Sequence, residues 1–67
     1  MNTHHDTEDL YFRDGRQAFQ DAIRRGDLSI NPQSPRFAGL YMYMHSQGGR
    51  DSFKHIETRA YLHFSRR

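Results

Sequence analysis

The segment from Ala38 to Ser46 contains a run, from Leu40 to His45, in which aliphatic and aromatic side chains alternate at every step. Its aliphatic positions are Leu40, Met42 and Met44. Its aromatic positions are Tyr41, Tyr43 and His45. Because neighbouring side chains of a strand point to opposite faces of a sheet, this period of two predicts a β-strand. We expect the aliphatic face to pack in the core and the aromatic face to remain open.

A hairpin and a second strand follow this segment. The tetrapeptide Gln47-Gly48-Gly49-Arg50 is typical of a tight turn, since a pair of glycines adopts positive φ at low cost. Residues 51–56 then form the returning strand, in which Phe53 and His55 share one face. We expect His55 to be a hydrogen-bonded histidine at the edge of the core.

The last segment, from Glu57 to Arg67, fits two structures. As a strand, its apolar face carries Ala60, Leu62 and Phe64. Its other face then carries Arg59, Tyr61, His63 and Ser65. As a helix, it would be capped by Thr58. The alternation is strict from residue 59 to residue 65 and therefore favours the strand.

The segment of residues 9–25 has apolar side chains at the helical period. They are Phe12, Phe19, Ala22 and Ile23. This spacing predicts a helix whose apolar stripe faces the core, starting near Gly15, with an earlier turn left open. Asp14 followed by Gln17 has the pattern of a capping box. Gly26 follows two arginines at the position where a left-handed C-cap is common.

Together these elements predict an α+β fold, in which one N-terminal helix packs on a three-stranded antiparallel β-meander. The alternative is a helix, a β-hairpin and a second helix. Residues 9–67 would form this single small domain, and residues 1–8 a disordered acidic leader. In the loop of residues 27–37, we expect Leu28 and Ile30 to lie beneath the core.

The length of the chain, 67 residues, allows one domain whose single core supplies roughly 3–5 kcal/mol of stability. The chain contains no cysteine, which excludes disulfides and thiolate-bound zinc. No stretch approaches the ~20 apolar residues that span a bilayer, and the amino terminus lacks the pattern of a secretory signal. We therefore expect a cytoplasmic protein without a cofactor. Unpaired strand edges also suggest a homodimer.

The charges are distributed unevenly, although the formal net charge is only +2. Residues 1–12 hold three acidic and no basic groups, and residues 13–67 hold ten basic and five acidic groups. All but one of the cations are arginine, whose planar fork suits carboxylates, phosphates and aromatic faces. The predicted domain is therefore basic, and we expect it to prefer acidic partners.

The open face of the sheet carries the side chains best suited to binding. Its candidate residues are Tyr41, Tyr43, His45, Lys54, Arg59, Tyr61 and His63. Tyrosine and arginine are enriched where proteins bind partners. The pattern therefore favours a small protein-binding or regulatory module, of adaptor or inhibitor type, for an acidic protein surface. The alternative is a module that stacks single-stranded RNA or DNA on the same rings.

Metal binding and catalysis are disfavoured by the sequence. The histidines show no HxH or HxxxH spacing, so we predict no metal site. The candidate catalytic bases are His45, His55 and His63, with Asp51 beside the hairpin. The chain has no cysteine nucleophile and no GxSxG elbow, and its size leaves little volume for a concave pocket. We therefore predict a binding protein rather than an enzyme.

Overall fold

The computed structural model describes residues 10–66, and the predicted acidic leader at residues 1–8 lies outside this range. Its elements are α1 (Gly15–Arg25), a 3-10 turn (Ala38–Leu40), β1 (Tyr41–Gln47), β2 (Arg50–His55) and β3 (Tyr61–Ser65). The predicted α+β fold, an N-terminal helix with a three-stranded antiparallel sheet, is confirmed. Within residues 10–66, no helix has the length and apolar character needed to cross a membrane.

Helix α1 begins and ends at the predicted capping residues. The Asp14 side chain accepts a hydrogen bond from Arg16 N at 3.0 Å, and Gly26 closes the helix with a φ of 86°. Glycine suits this left-handed position because it has no Cβ to clash there. Gln17 does not complete the predicted capping box, because its Nε2 turns along the helix and donates to Asp21 Oδ1 at 3.1 Å.

The segment before α1 is extended instead of helical. Tyr11 N donates to Ser46 O at 3.0 Å, and Ser46 N donates to Tyr11 O at 2.8 Å, which forms an antiparallel bridge to the end of β1. Phe12 follows this bridge and is 76% exposed. The earlier turn that the sequence left open is therefore not formed by residues 10–14, and the predicted core position of Phe12 is wrong.

The loop after α1 separates the two apolar residues predicted to lie beneath the core. Leu28 is buried in the core, whereas Ile30 is exposed to solvent. A parallel bridge closes the loop, in which Ser29 N donates to Arg36 O at 2.8 Å and Ala38 N donates to Ser29 O at 2.7 Å. The prediction is therefore right for Leu28 and wrong for Ile30. Ile30 lies between the two bridged residues, in the part of the loop that projects into solvent.

The three strands form an antiparallel meander in the order β1-β2-β3. Phe53 on β2 lies opposite Tyr43 on β1 and opposite Leu62 on β3. The last segment is therefore a strand, as its alternation predicts, and the alternative of a second helix is wrong. Strand β1 begins at Tyr41 rather than earlier, because the residues before it wind into the 3-10 turn.

A β-bulge at Met44 reverses the two faces of β1. Tyr43 pairs with Phe53, but His45 pairs with Ser52, so one extra residue stands between the two pairs. An unbroken register counted back from the glycine turn would oppose Met44 to Phe53 instead. Because a bulge shifts the side-chain alternation by one step, the predicted aliphatic core face of β1 is wrong.

The core is aromatic on the sheet side and rich in alanine on the helix side. Its buried apolar residues are Ala18, Ala22, Leu28, Phe53 and Phe64. Around them pack Phe19, Ile23, Ala38, Tyr41, Tyr43 and Leu62. The alanines present little side chain between α1 and the sheet, and the rings of Phe19 and Phe53 meet edge to face at 5.0 Å. The two inward tyrosines thus take the place predicted for Leu40 and the methionines.

One charged side chain on the core side of the sheet is completely buried. Asp51 is 0% exposed, and its carboxylate accepts hydrogen bonds from Arg13 Nη1 and from Ser46 Oγ, the latter at 2.6 Å. Arg66 Nε lies 3.5 Å from Asp51 Oδ1. Arg13 precedes α1 and Arg66 follows β3. This group, which we call the Asp51 cluster, therefore ties both ends of the described chain to the sheet.

Arg13 is shared between two carboxylates. Its Nη1 donates to Asp51, and its Nη2 donates to Asp21 on α1. The hydrogen bond from Arg13 lowers the pKa of Asp21 below its ordinary value, and a second bond from the Gln17 amide lowers the pKa further. The same bond with Asp21 raises the pKa of Arg13. One guanidinium therefore fixes α1 relative to the sheet through charge-assisted hydrogen bonds.

Replacement of Asp51 by asparagine is expected to unfold most of the domain. Removing one partner of a buried ion pair costs about 3–5 kcal/mol, because the remaining charge stays desolvated. A core of this size supplies roughly the same amount. Thermal unfolding followed by circular dichroism measures the loss.

The matched control is Asp27→Asn, which removes a carboxylate from a partly exposed ion pair with Arg25 at 2.8 Å. For this pair we expect a loss of about 1 kcal/mol or less. Equal unfolding temperatures for the Asp51 and Asp27 variants would contradict the larger stability contribution expected of the buried ion pair.

The lowered pKa of Asp21 predicts a loss of stability in acid. A carboxylate whose pKa is lowered by folding stabilises the fold above its ordinary pKa of 3.8. That contribution disappears as the pH falls below 3.8 and through the lower value of the folded state. Urea unfolding midpoints measured as the pH is lowered should therefore fall. In Asp21→Asn the midpoint should fall less as the pH is lowered. An equally steep fall in the wild type and in Asp21→Asn would contradict the prediction.

Candidate functional site

The face of the sheet turned away from α1 carries three rows of side chains that cross all three strands. The row beside the glycine turn is Gln47, Arg50 and Ser65, and the two rows beyond it hold the candidate binding residues. The first of these two rows is His45, Ser52 and His63. The second row is Met42, Lys54 and Tyr61. The register places the members of each row directly opposite one another, so their side chains are neighbours on one surface. We call the six residues of these two rows the open face.

In the first row, Ser52 holds one of the two flanking histidines. Its hydroxyl lies 2.7 Å from His63 Nδ1. Ser52 is buried, whereas His63 is exposed. The hydrogen bond thus satisfies a buried hydroxyl and fixes the imidazole above the sheet, with its Nε2 edge available to a partner.

In the second row, Tyr61 stands at the centre of an aromatic and cationic cluster. Its ring stacks on His63, with centroids 5.8 Å apart and an angle of 14° between the planes. Lys54 Nζ lies 5.6 Å from the centroid of the Tyr61 ring, and the His45 ring lies 6.4 Å from it. Tyr61 is nonetheless 43% exposed. The ring is therefore held in place by its neighbours and still presents contact area to solvent.

A depression borders the open face where β2 turns towards β3. It encloses about 280 Å³ and is lined by Met42, Lys54, His55, Ile56 and Arg59. Both of its aliphatic members are exposed, Met42 at 45% and Ile56 at 48%. The depression therefore combines an apolar lining with two cations.

The turn beside this depression is organised around His55. The N–H groups of Glu57 and Thr58 both donate to His55 Nδ1 at 3.1 Å, and Arg59 N donates to His55 O at 3.0 Å. The prediction of a hydrogen-bonded His55 at the core edge is confirmed. Arg59 has a φ of 68°, a left-handed conformation that is uncommon for a residue with a Cβ. The bonds to His55 hold the backbone of Arg59 in that conformation.

The open face and the depression are positively charged. Neither includes a carboxylate, because Asp51 points into the core and Glu57 is not among the lining residues. Lys54 and Arg59 make no ion pair within residues 10–66. Cations without a counter-ion create a potential that attracts an acidic ligand.

The structure brings most of the predicted binding residues together. Those on the open face are His45, Lys54, Tyr61 and His63. Arg59 lies beside them in the lining of the depression. Tyr41 and Tyr43 face α1 instead, because the bulge at Met44 turns them inwards. Their predicted place on the open face is therefore wrong.

The two inward tyrosines have structural partners. Tyr43 OH accepts a hydrogen bond from Arg13 N at 2.9 Å and lies 2.6 Å from Ser46 Oγ. Tyr41 meets His55 edge to face, with ring centroids 5.1 Å apart. A buried phenol requires a hydrogen-bond partner, and Tyr43 finds one in the Asp51 cluster.

Two members of the open face, Met42 and Ser52, are missing from the sequence prediction. Hydropathy assigns Met42 to the core, and no residue in the sequence marks the bulge that exposes it. Ser52 could have been found, since a hairpin counted from the glycine turn places it opposite His45. A small polar residue between two histidines follows from the register alone.

The side chains that could bind a metal or take part in catalysis lie in several parts of the structure. Within residues 10–66, no group of three His, Cys, Asp or Glu side chains is placed to hold a metal ion. Ser52 and His63 form a hydroxyl–imidazole pair, but Ser52 is only 4% exposed, and a nucleophile requires access to its substrate. Asp51, a candidate base in the sequence, is bound by arginine in the core.

Comparison with known proteins assigns neither a family nor a function to the chain. No protein-family model, curated protein or solved structure matches the chain.

The same substitution on the two faces of the sheet should have different effects. Tyr43→Phe removes the hydroxyl that bonds Arg13 N and Ser46, and an unpaired buried group costs about 1–3 kcal/mol. Tyr61→Phe changes a half-exposed ring, for which we expect a difference within about 0.5 kcal/mol. Urea unfolding of both variants measures the free energies. Equal destabilisation would contradict the inward position of Tyr43.

Proposed function

We propose that this chain is a non-enzymatic protein-binding module, of adaptor or inhibitor type, whose open face receives an acidic surface of a partner protein. One observation carries the proposal. The half-exposed ring of Tyr61 lies beside Lys54, with Arg59 close by, on a surface to which residues 10–66 contribute no carboxylate. An aromatic anchor surrounded by charged groups is typical of protein interfaces.

The Tyr61 anchor is already ordered before a partner arrives. Its ring stacks on His63, and His63 is itself hydrogen-bonded to the buried Ser52. A side chain held in one conformation loses little entropy when it enters an interface. The contacts among these three residues therefore favour binding without a large ordering cost.

The depression beside the anchor offers a second point of attachment. Met42 and Ile56 supply exposed apolar surface, and Lys54 and Arg59 supply positive charge in the same lining. Its volume of about 280 Å³ lies at the lower limit for small-molecule sites and suits a single side chain. We infer that a partner inserts an apolar side chain here, next to an acidic residue that pairs with a cation.

Single-stranded nucleic acid is a second candidate, supported by the stacked Tyr61 and His63 rings beside Lys54. Such platforms usually stack successive bases on several aromatic side chains. With Tyr41 and Tyr43 facing α1, the open face keeps a single tyrosine. We therefore rank nucleic acid behind a protein partner.

The substitution Lys54→Glu should prevent partner binding. It reverses a charge shared by the open face and the depression, so an acidic partner would meet a like charge. We expect the affinity to fall by at least about tenfold. Partners captured from extract by the immobilised wild type are identified, and one is titrated into the isotope-labelled chain. Chemical-shift changes at Tyr61 and Arg59 would place the partner on this surface.

Arg16→Glu is the matched control. Arg16 is exposed in the first turn of α1, where a carboxylate suits the helix dipole, and the substitution alters the net charge equally. Loss of the partner by the Lys54 variant alone supports the proposal. Retention by both variants, or loss by both, contradicts it. Capture that is abolished by nuclease, with an affinity that falls steeply with salt, would instead identify nucleic acid as the partner.

A further inference from the structure

The outer edge of β3 is paired with no other strand of residues 10–66. In the order β1-β2-β3, β3 has a neighbouring strand on one side only within residues 10–66. The far edge of β1 is partly covered, since Tyr11 bridges to Ser46 there. An uncovered edge presents main-chain donors and acceptors that can pair with another strand.

Two main-chain hydrogen bonds at the ends of the β2–β3 ladder show which residues of β3 point outwards. His55 N donates to Ala60 O at 2.8 Å, and Arg66 N donates to Gly49 O at 2.9 Å. In an antiparallel ladder the bonded pairs alternate with non-bonded pairs, so the even-numbered residues of β3 bond to β2. Tyr61 and His63 therefore turn their N–H and C=O groups to the outer edge.

Strand β3 lacks the features that commonly keep an edge from pairing. Its sequence, YLHFS, contains no proline and no Lys, Arg, Asp or Glu. Its register with β2 runs without a bulge from residue 61 to residue 65. Proteins usually protect an exposed edge with one of these devices, so their joint absence from β3 indicates an edge that is used.

We infer that two copies of this chain pair through β3, antiparallel about a two-fold axis at Leu62, to form one continuous sheet. In this register Tyr61 of one copy lies opposite His63 of the other. Both residues turn their main-chain groups outwards, so donors meet acceptors in the correct phase. The inference does not rest on the proposed function, because it is carried by the main-chain groups at the edge of β3 and not by the positive charge of the open face.

The side chains on both sides of the sheet fit this register. On the α1 side, Leu62 packs at the margin of the core and would meet its own copy across the axis, which extends the apolar layer. On the other side, Tyr61 would lie beside His63 of the second copy, as it does beside His63 of its own strand. Arg59 of one copy would lie opposite Ser65 of the other, so the register does not place the two copies of Arg59 next to each other.

Sedimentation velocity over a concentration series tests the dimer, with two substitutions at one position. His63→Pro removes an outward N–H and leaves the hydrogen bonds to β2 intact. His63→Ala removes the same ring, together with its bond to Ser52, and keeps the N–H. We expect His63→Ala to lose only the ring contact with Tyr61 of the second copy, and His63→Pro to dimerise at least about tenfold more weakly than His63→Ala. Equal association of the two variants would overturn the inference.

Amide hydrogen exchange of the wild type gives an independent measurement that decides the matter if His63→Pro fails to fold. Exchange at Tyr61 and His63 should slow as the protein concentration rises, whereas Leu62 and Phe64, bonded to β2, should be protected at every concentration. Exchange at Tyr61 and His63 that is independent of concentration, or a wild type that stays monomeric at millimolar concentration, would overturn the inference. Lys54→Glu should leave the dimer unchanged, which separates this test from that of partner binding.

Discussion

The buried carboxylate of Asp51 is the constraint on which the rest of the structure depends. A charge without exposed surface is tolerated only when hydrogen bonds and opposite charges replace the water it has lost. Arg13 and Ser46 supply hydrogen bonds, and Arg66 supplies a second positive charge. Because these partners come from before α1, from β1 and from after β3, Asp51 is satisfied only when all three regions are in place together.

The Asp51 cluster also accounts for the bulge in β1. Tyr43 and Ser46 are three residues apart, and a regular strand would place them on opposite faces. Both hydroxyls are required on the core side, where they lie 2.6 Å apart and connect Arg13 to Asp51. The extra residue at the bulge brings them together. The same bulge turns Met42 outwards. The composition of the open face therefore follows from the hydrogen bonds that the buried carboxylate requires.

The order of the elements is predictable from the sequence because it depends on local signals, such as the caps of α1, the glycine turn and the alternation of β3. The faces of β1 are not, because a bulge of one residue leaves no mark in the hydropathy pattern. His45 is placed correctly, since it lies between the bulge and the turn, whereas Tyr41 and Tyr43 lie beyond the bulge. The pair of Arg13 and Asp51 is equally out of reach, because a separation of 38 residues is closed only by the fold.

The contacts of the core side also decide where the positive charge of the domain is exposed. Asp21, Asp27 and Asp51 are each paired with arginine. The arginines in these pairs are Arg13, Arg24, Arg25 and Arg66. The charges largely cancel within these pairs, since four arginines meet three aspartates. Lys54 on the open face and Arg59 in the neighbouring depression make no ion pair within residues 10–66, so their charge stays exposed there. The proposed acidic partner would be attracted to this charge and not to the neutralised pairs.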